Sequence, residues 1–168
     1  MDRLLPAAAR AGVLLKARNE TIAIAESSIG GLVSAALLAT PGASAYFIGG
    51  SVVYTRKART TLLRIPDSVL LATPPASEQM AALLAENARQ GLDATWGLGE
   101  AGATGPTGNR YGHAAGHGVL AVAGPVALTR TIETGSSDRI DNMRVFGVTL
   151  LEMLVEALQA APPRQPSP

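Results

Sequence analysis

The sequence predicts an α/β fold whose mixed sheet is covered by helices on both faces. Two observations lead there. Early in the chain, short apolar runs of strand length alternate with segments of helical periodicity, the pattern of strand–helix–strand units. Later, Gly118 to Ala123 and Val126 to Glu133 follow each other across a Gly124-Pro125 turn, the pattern of an antiparallel hairpin.

Each element has its own signal. Leu4 to Arg18 carries Leu4, Leu5, Ala8, Leu14 and Leu15 at mixed helical spacing. Thr21 to Ala25 is a short apolar run and reads as a buried strand. Gly30-Gly31 precedes Leu32 to Leu38, a helix that ends before Pro41-Gly42. Ala45 to Tyr54 is aromatic and β-branched, so it reads as a strand; Gly49-Gly50 inside it marks a bulge or a close backbone approach. Lys57 to Leu63 reads as helical. Pro66 and Pro74-Pro75 punctuate a surface stretch. Ser77 is placed to cap a helix from Glu78 to about Leu92.

Ala94 to Gly99 reads as a third strand, leading into a glycine-rich loop from Gly102 to Gly112. The last helix is expected from Ser137-Asp138 to about Leu158, with Met143, Phe146, Leu150, Leu151, Leu154 and Leu158 in one stripe. The core is expected from Ile22 and Ile24, Ala45 to Val53, Leu98, Val119 to Val122 and that stripe. Residues 1–160 read as one domain, and the Pro-rich residues 161–168 as a disordered tail.

Composition narrows the function. At 168 residues with 47% hydrophobic and 16% charged side chains, the chain is globular rather than disordered. A net charge of +1 steers neither nucleic acid nor an anionic membrane, so neither is expected as a partner. The absence of cysteine excludes disulfides, thiolate catalysis and cysteine-ligated metals. No apolar run reaches the length of a membrane span, and no clean signal core follows Met1, so a cytoplasmic protein is expected. So much apolar side chain with so few charges predicts a homo-oligomer.

Three segments carry candidate chemistry. Ala25-Glu26-Ser27-Ser28-Ile29-Gly30-Gly31 joins a strand to a helix. A serine on such a turn is either a nucleophile or simply the cap of the helix, and the free amides of a helix start favour anions. In Gly49 to Arg59, Tyr54 is followed by Arg56, Lys57 and Arg59, a phosphate contact or an ordinary solvated helix start. In the Gly102 to Gly112 loop, Thr104, Thr107 and the glycines either hold a ligand with backbone amides or make a long turn. It is neither a Walker A loop nor a dinucleotide fingerprint. His113 and His117 are four apart, but the glycines around them argue against a helix and no carboxylates cluster with them, so no metal and no cofactor are expected.

Together these segments resemble the C-terminal domain of the CinA family, of the nicotinamide-mononucleotide deamidase type. Residues 25–31 are similar to its Ala-Glu-Ser-Cys-Thr-Gly-Gly, and residues 49–59 to its Gly-Gly-x-x-x-Tyr-Ser-Asn-x-x-Lys. Gly-Ala-Thr-Gly-Pro-Thr-Gly (102–108) is similar to its Gly-Ile-Ala-Gly-Pro-x-Gly, and Gly-Ser-Ser-Asp-Arg (135–139) to its Gly-Asp-Arg. Order and spacing agree from about residue 10 to 158. The resemblance implies a three-layer α/β/α sandwich, a homo-oligomer and a small-molecule nucleotide substrate. It implies hydrolysis of nicotinamide mononucleotide to nicotinate mononucleotide and ammonia. The family serine corresponds to Ser27, its tyrosine to Tyr54 and its lysine to Arg59. Glu26, Ser28, Gly30, Gly31, Thr104, Gly105 and Arg139 fall on motif positions and are expected to bind substrate.

Three positions depart from the pattern. Ser28 replaces a cysteine, Ile29 a threonine and Arg59 the lysine. A serine–lysine pair needs a neutral amine to take the serine proton, and arginine stays charged. Lys57 lies two residues away, roughly 200° around a helix. Lys57 and His117 remain as substitute bases. A ligand-binding module that has lost the chemistry, or an interaction domain without a small ligand, are the alternatives.

Overall fold

The structure is a computed structural model and describes residues 1–162. The chain runs through α1 (Leu5–Arg18), β1 (Ile22–Glu26), α2 (Leu32–Leu38), a 3-10 turn (Ala43–Ala45) and β2 (Phe47–Val52). It continues through α3 (Arg56–Leu62), α4 (Asp67–Ala72), α5 (Glu78–Gly91), β3 (Trp96–Ala103), β4 (His117–Ala123), β5 (Leu128–Glu133) and α6 (Arg139–Ala160). The strands form one sheet in the order β2-β1-β3-β4-β5. β2, β1 and β3 are parallel, and β4 and β5 return antiparallel. Helices cover both faces, so the expected mixed α/β/α sandwich is what forms.

The two faces differ in residue size for a physical reason. Strand residues alternate in direction. Ile22, Ile24, Trp96, Leu98, Leu120 and Val122 meet α1, α2 and α6 on one side. Ala23, Ala25, Ala101 and Ala121 meet α5 on the other. There α5 lies almost on the sheet backbone. A Cβ on Gly97 would sit 2.1 Å from the Ala85 carbonyl oxygen, and one on Gly99 2.1 Å from that of Ala81. Glycine is needed here for space. Gly99→Ala is therefore expected to push α5 off the sheet and to cost about 2 kcal/mol, a typical overpacking penalty; urea denaturation measures it, and an unchanged midpoint would refute the close-approach account.

Helix ends follow their sequence signals. The Ser77 hydroxyl accepts from the Met80 amide at 3.2 Å at the start of α5, and Asp138 accepts from Asp141 at 2.9 Å at the start of α6. Phe146, Leu150 and Leu154 are fully buried, as the stripe predicts. The Phe146 ring lies against the backbone of Gly102 and Gly118, where a Cβ would come within about 3 Å of it.

Three expectations need correction. The segment 45–53 is not uniformly core: β2 is an edge strand, and Ile48 and Val52 are about half exposed. Its β-branched composition reported strand propensity, which says nothing about having a neighbour on one side only. Gly49-Gly50 does mark a close approach, since a Gly50 Cβ would lie 2.4 Å from Ser34 Oγ, and the β1–β2 register slips at Ile48, just before the pair. The proline-punctuated surface stretch contains α4, with Ile65 and Leu70 buried. Six residues are too few to show a helical period. β3 runs on to Ala103, because Gly102 and Ala103 pair with Gly118 and His117. At the C-terminus Ala161 is buried and Arg18 donates to the carbonyls of Ala161 and Pro162; the rest of the expected tail, from residue 163, lies outside the described residues. Among the described residues no helix is long and apolar enough to cross a membrane.

Candidate active site

The turn from β1 to α2 is held by two buried carboxylates. Glu26, the last residue of β1, accepts from the amides of Gly31 (2.8 Å), Val33 (3.2 Å) and Ser34 (2.8 Å) and from the Ser34 hydroxyl (2.6 Å). Glu100 of β3 accepts from the amides of Ser27 (2.8 Å), Ser28 (2.9 Å) and Ile29 (3.0 Å) and from the Ser28 hydroxyl. Burial holds the Glu100 carboxyl above its ordinary range, and these donors offset only part of that rise. Neither Ser27 nor Ser28 caps the helix: its N-cap is Gly31, without a side-chain bond. The amides expected to face an anion are therefore taken by the protein's own carboxylates, and Glu26 and Ser28 are spent on holding the turn.

A cavity of about 640 Å³ opens at this turn, at the carboxyl ends of the parallel strands. Its lining includes Ser27, Ala101 and Gly102 from the sheet side, Tyr54 from the connection after β2 and Arg59 from α3, and Asn109, Arg110 and Tyr111 from the loop between β3 and β4. Arg56 also lines it, so three guanidinium groups border the cavity, and no carboxylate is among its lining residues. Open α/β sheets take ligands at this place.

The expected site residues divide. Ser27, Tyr54 and Arg59 share the cavity. Gly30, Gly31, Thr104, Gly105 and Arg139 do not line it. Arg139 donates to the Gly105 carbonyl at 2.8 Å, and Asn142 to that of Thr104 at 2.9 Å, so these residues latch the glycine loop to α6. Gly105 has φ +102°, and a Cβ on it would meet the Ser137 carbonyl at 2.7 Å. Gly30 has φ +74° at the turn.

Arg59 is aimed at the serine. Its Nη2 donates to Ser27 Oγ at 3.4 Å, and its Nε to the Val53 carbonyl at 3.2 Å. Burial lowers the guanidinium below its ordinary value, and Glu100 and then Tyr111 raise it again; an arginine remains charged regardless. It can stabilise an alkoxide or oxyanion, and it cannot take a proton. The substitute bases are elsewhere. Lys57 is exposed on α3 and does not line the cavity; it borders an adjoining depression with Thr60 and Asp67 that shares Thr55 and Arg56 with the cavity. His117 donates from Nε2 to the Ala76 carbonyl at 2.9 Å and pairs through Nδ1 with Glu133 at 2.5 Å. With both nitrogens engaged, it has no lone pair directed at Ser27.

Sequence reading missed Glu100, Arg110 and Tyr111. Glu100 left one signal, a lone charge inside the apolar strand run Trp96 to Ala103; buried charges are rare unless partnered. Arg110 and Tyr111 sit inside the glycine loop, where nothing local distinguishes them from a solvated turn.

A buried serine on a strand-to-helix turn borders this cavity at the parallel strand ends, the place where open α/β sheets form their crevices. The family model described as the CinA C-terminal domain matches residues 5–158, and the chain belongs to that family. It is 36% identical over 149 residues to a CinA-like protein of Myxococcus xanthus, covering 88% of this chain and 35% of that one. It is 38% identical over 145 residues to a CinA-like protein of Anaeromyxobacter dehalogenans, covering 86% and 36%. The chain thus spans about a third of the length of these curated relatives. Among solved structures, the competence/damage inducible protein CihA from Agrobacterium tumefaciens superposes with a TM-score of 0.85 at 27% identity, covering 94% of this chain and 96% of that one. A CinA superfamily protein from Enterobacter cloacae gives 0.85 at 26% identity, covering 92% of each.

Proposed function

We propose that the chain binds a phosphorylated pyridine nucleotide of the nicotinamide-mononucleotide class, and that it is an amidohydrolase of that type with its hydrolytic step held back by Arg59. One observation carries the reading: the guanidinium of Arg59 lies 3.4 Å from Ser27 Oγ, in a cavity bordered by Tyr54, Tyr111 and two further arginines. Aromatic faces suit a planar pyridine, and guanidinium groups suit a phosphate. In the full reaction Ser27 Oγ would attack the carboxamide carbon, ammonia would leave, and water would release the carboxylate. The serine proton must go to a base in the first step. None of the cavity-lining residues is a lysine, histidine or carboxylate.

Nicotinamide mononucleotide at 100 times its dissociation constant is expected to stabilise the protein by about 2.7 kcal/mol. That corresponds to a melting-temperature rise of roughly 5–10 °C for a domain this size. Ammonia release should be slow, and Ser27→Ala should abolish it while keeping the thermal shift. No shift and no ammonia would refute the reading. Ammonia release undiminished in Ser27→Ala would refute the nucleophile.

A further inference from the structure

The three guanidinium groups of the cavity are not equally available. Arg59 is committed to Ser27 and the Val53 carbonyl. Arg56 pairs with Asp67, Nε to Oδ1 at 3.1 Å. Arg110 has a neutral partner: its Nη2 donates to the Tyr111 hydroxyl at 2.8 Å, and its guanidinium carbon lies 5.0 Å from the centre of that ring. Most of its five N–H donors remain to bind an anion.

The loop that carries Arg110 is braced. Asn109 Oδ1 accepts from the amides of Tyr111 (3.0 Å) and His113 (3.1 Å), and the Asn109 amide donates to the His113 carbonyl at 3.0 Å. The His113 ring stacks on that of His117, with centroids 4.0 Å apart and planes 13° from parallel. His117 is buried and clamped between Glu133 of β5 and the carbonyl of Ala76, itself a cavity-lining residue. A chain of contacts therefore runs from the sheet edge, through two imidazoles, to the turn bearing Arg110 and Tyr111.

We propose that Arg110 is the specificity-determining residue that reads the phosphate of the ligand, and that the His113–His117 stack is its positioning support. This rests on the nucleotide-binding reading above. Phosphate, like carboxylate, matches the fork of a guanidinium bidentately.

The test uses nicotinamide mononucleotide and nicotinamide riboside, which differ by that phosphate, and reads the ratio of their dissociation constants by calorimetry. The wild type is expected to prefer the mononucleotide by roughly 10- to 100-fold, the range for a hydrogen-bonded charge. Arg110→Ala should bring the ratio near one, and Arg110→Lys should restore part of it. His113→Ala should lower the ratio, while His113→Phe, which keeps a ring on His117, should hold it near the wild-type value. A wild type that binds both ligands equally overturns the inference and leaves the nucleotide reading standing. So does an unchanged ratio in Arg110→Ala, or a loss of both affinities together. An unchanged ratio in His113→Ala overturns the positioning role. A wild type that binds neither ligand overturns both readings.

Discussion

Replacing Arg59 with lysine is expected to raise ammonia release from nicotinamide mononucleotide by about 10²–10⁴-fold, the contribution of a positioned general base. The direction of the side chain at position 59 is already set: Arg59 leaves α3 toward Ser27 and reaches its Oγ. An amine at that position can lose its proton, and the burial that lowers the Arg59 guanidinium would lower a lysine in the same way. The variant should show a rate that climbs with pH as the amine becomes neutral, a limb the wild type lacks because its guanidinium does not titrate. Binding should fall little, since Arg56 and Arg110 still border the cavity. If Arg59→Lys gains nothing while nicotinamide mononucleotide still raises the melting temperature, the cavity binds without hydrolysing. If Ser27→Ala also costs nothing in an active wild type, the serine mechanism is wrong.

Glu100→Gln is expected to cost about 3 kcal/mol of stability, a fall of about 10 °C in melting temperature for a domain of this size. Glu100 Oε2 accepts from two backbone amides, and Oε1 from one amide and the Ser28 hydroxyl. A glutamine has one carbonyl oxygen. Whichever way its amide turns, the NH2 faces at least one backbone N–H, which cannot rotate to accept. That buried donor loses its partner, worth about 1–3 kcal/mol, and the remaining bonds lose their charge. A protonated carboxyl escapes the conflict, because its hydroxyl oxygen still accepts. The Ser27 turn should loosen with the fold, so nucleotide binding should weaken too. A melting temperature within about 2 °C of wild type would show that the turn does not depend on these bonds.

Much of this is legible in the sequence. Alternating apolar runs and turn glycines located all five strands, and Ser77 and Asp138 marked two helix starts. Ser27, Tyr54 and Arg59 are singled out by the resemblance to the CinA family, and they do share one cavity. Glu26, Gly30, Gly31, Thr104, Gly105 and Arg139 belong to the same motifs but shape the turn and the loop rather than the cavity wall. A motif records which residues a local structure needs, without separating those that touch a ligand from those that hold the backbone. α4 was missed because six residues carry no resolvable period.

By itself the sequence determined the α/β class and the mixed sheet, which rest on local spacing, and the family resemblance with its substitution at position 59, which rest on the matching motifs. Tertiary structure alone decided that Glu100 closes the Ser27 turn across 73 residues, that β2 is an edge, and that Lys57 and His117 are turned away from the serine. Strand order and side-chain partners on distant elements set these relations. Both depend on contacts between residues far apart in the chain, for which local periodicity carries no signal.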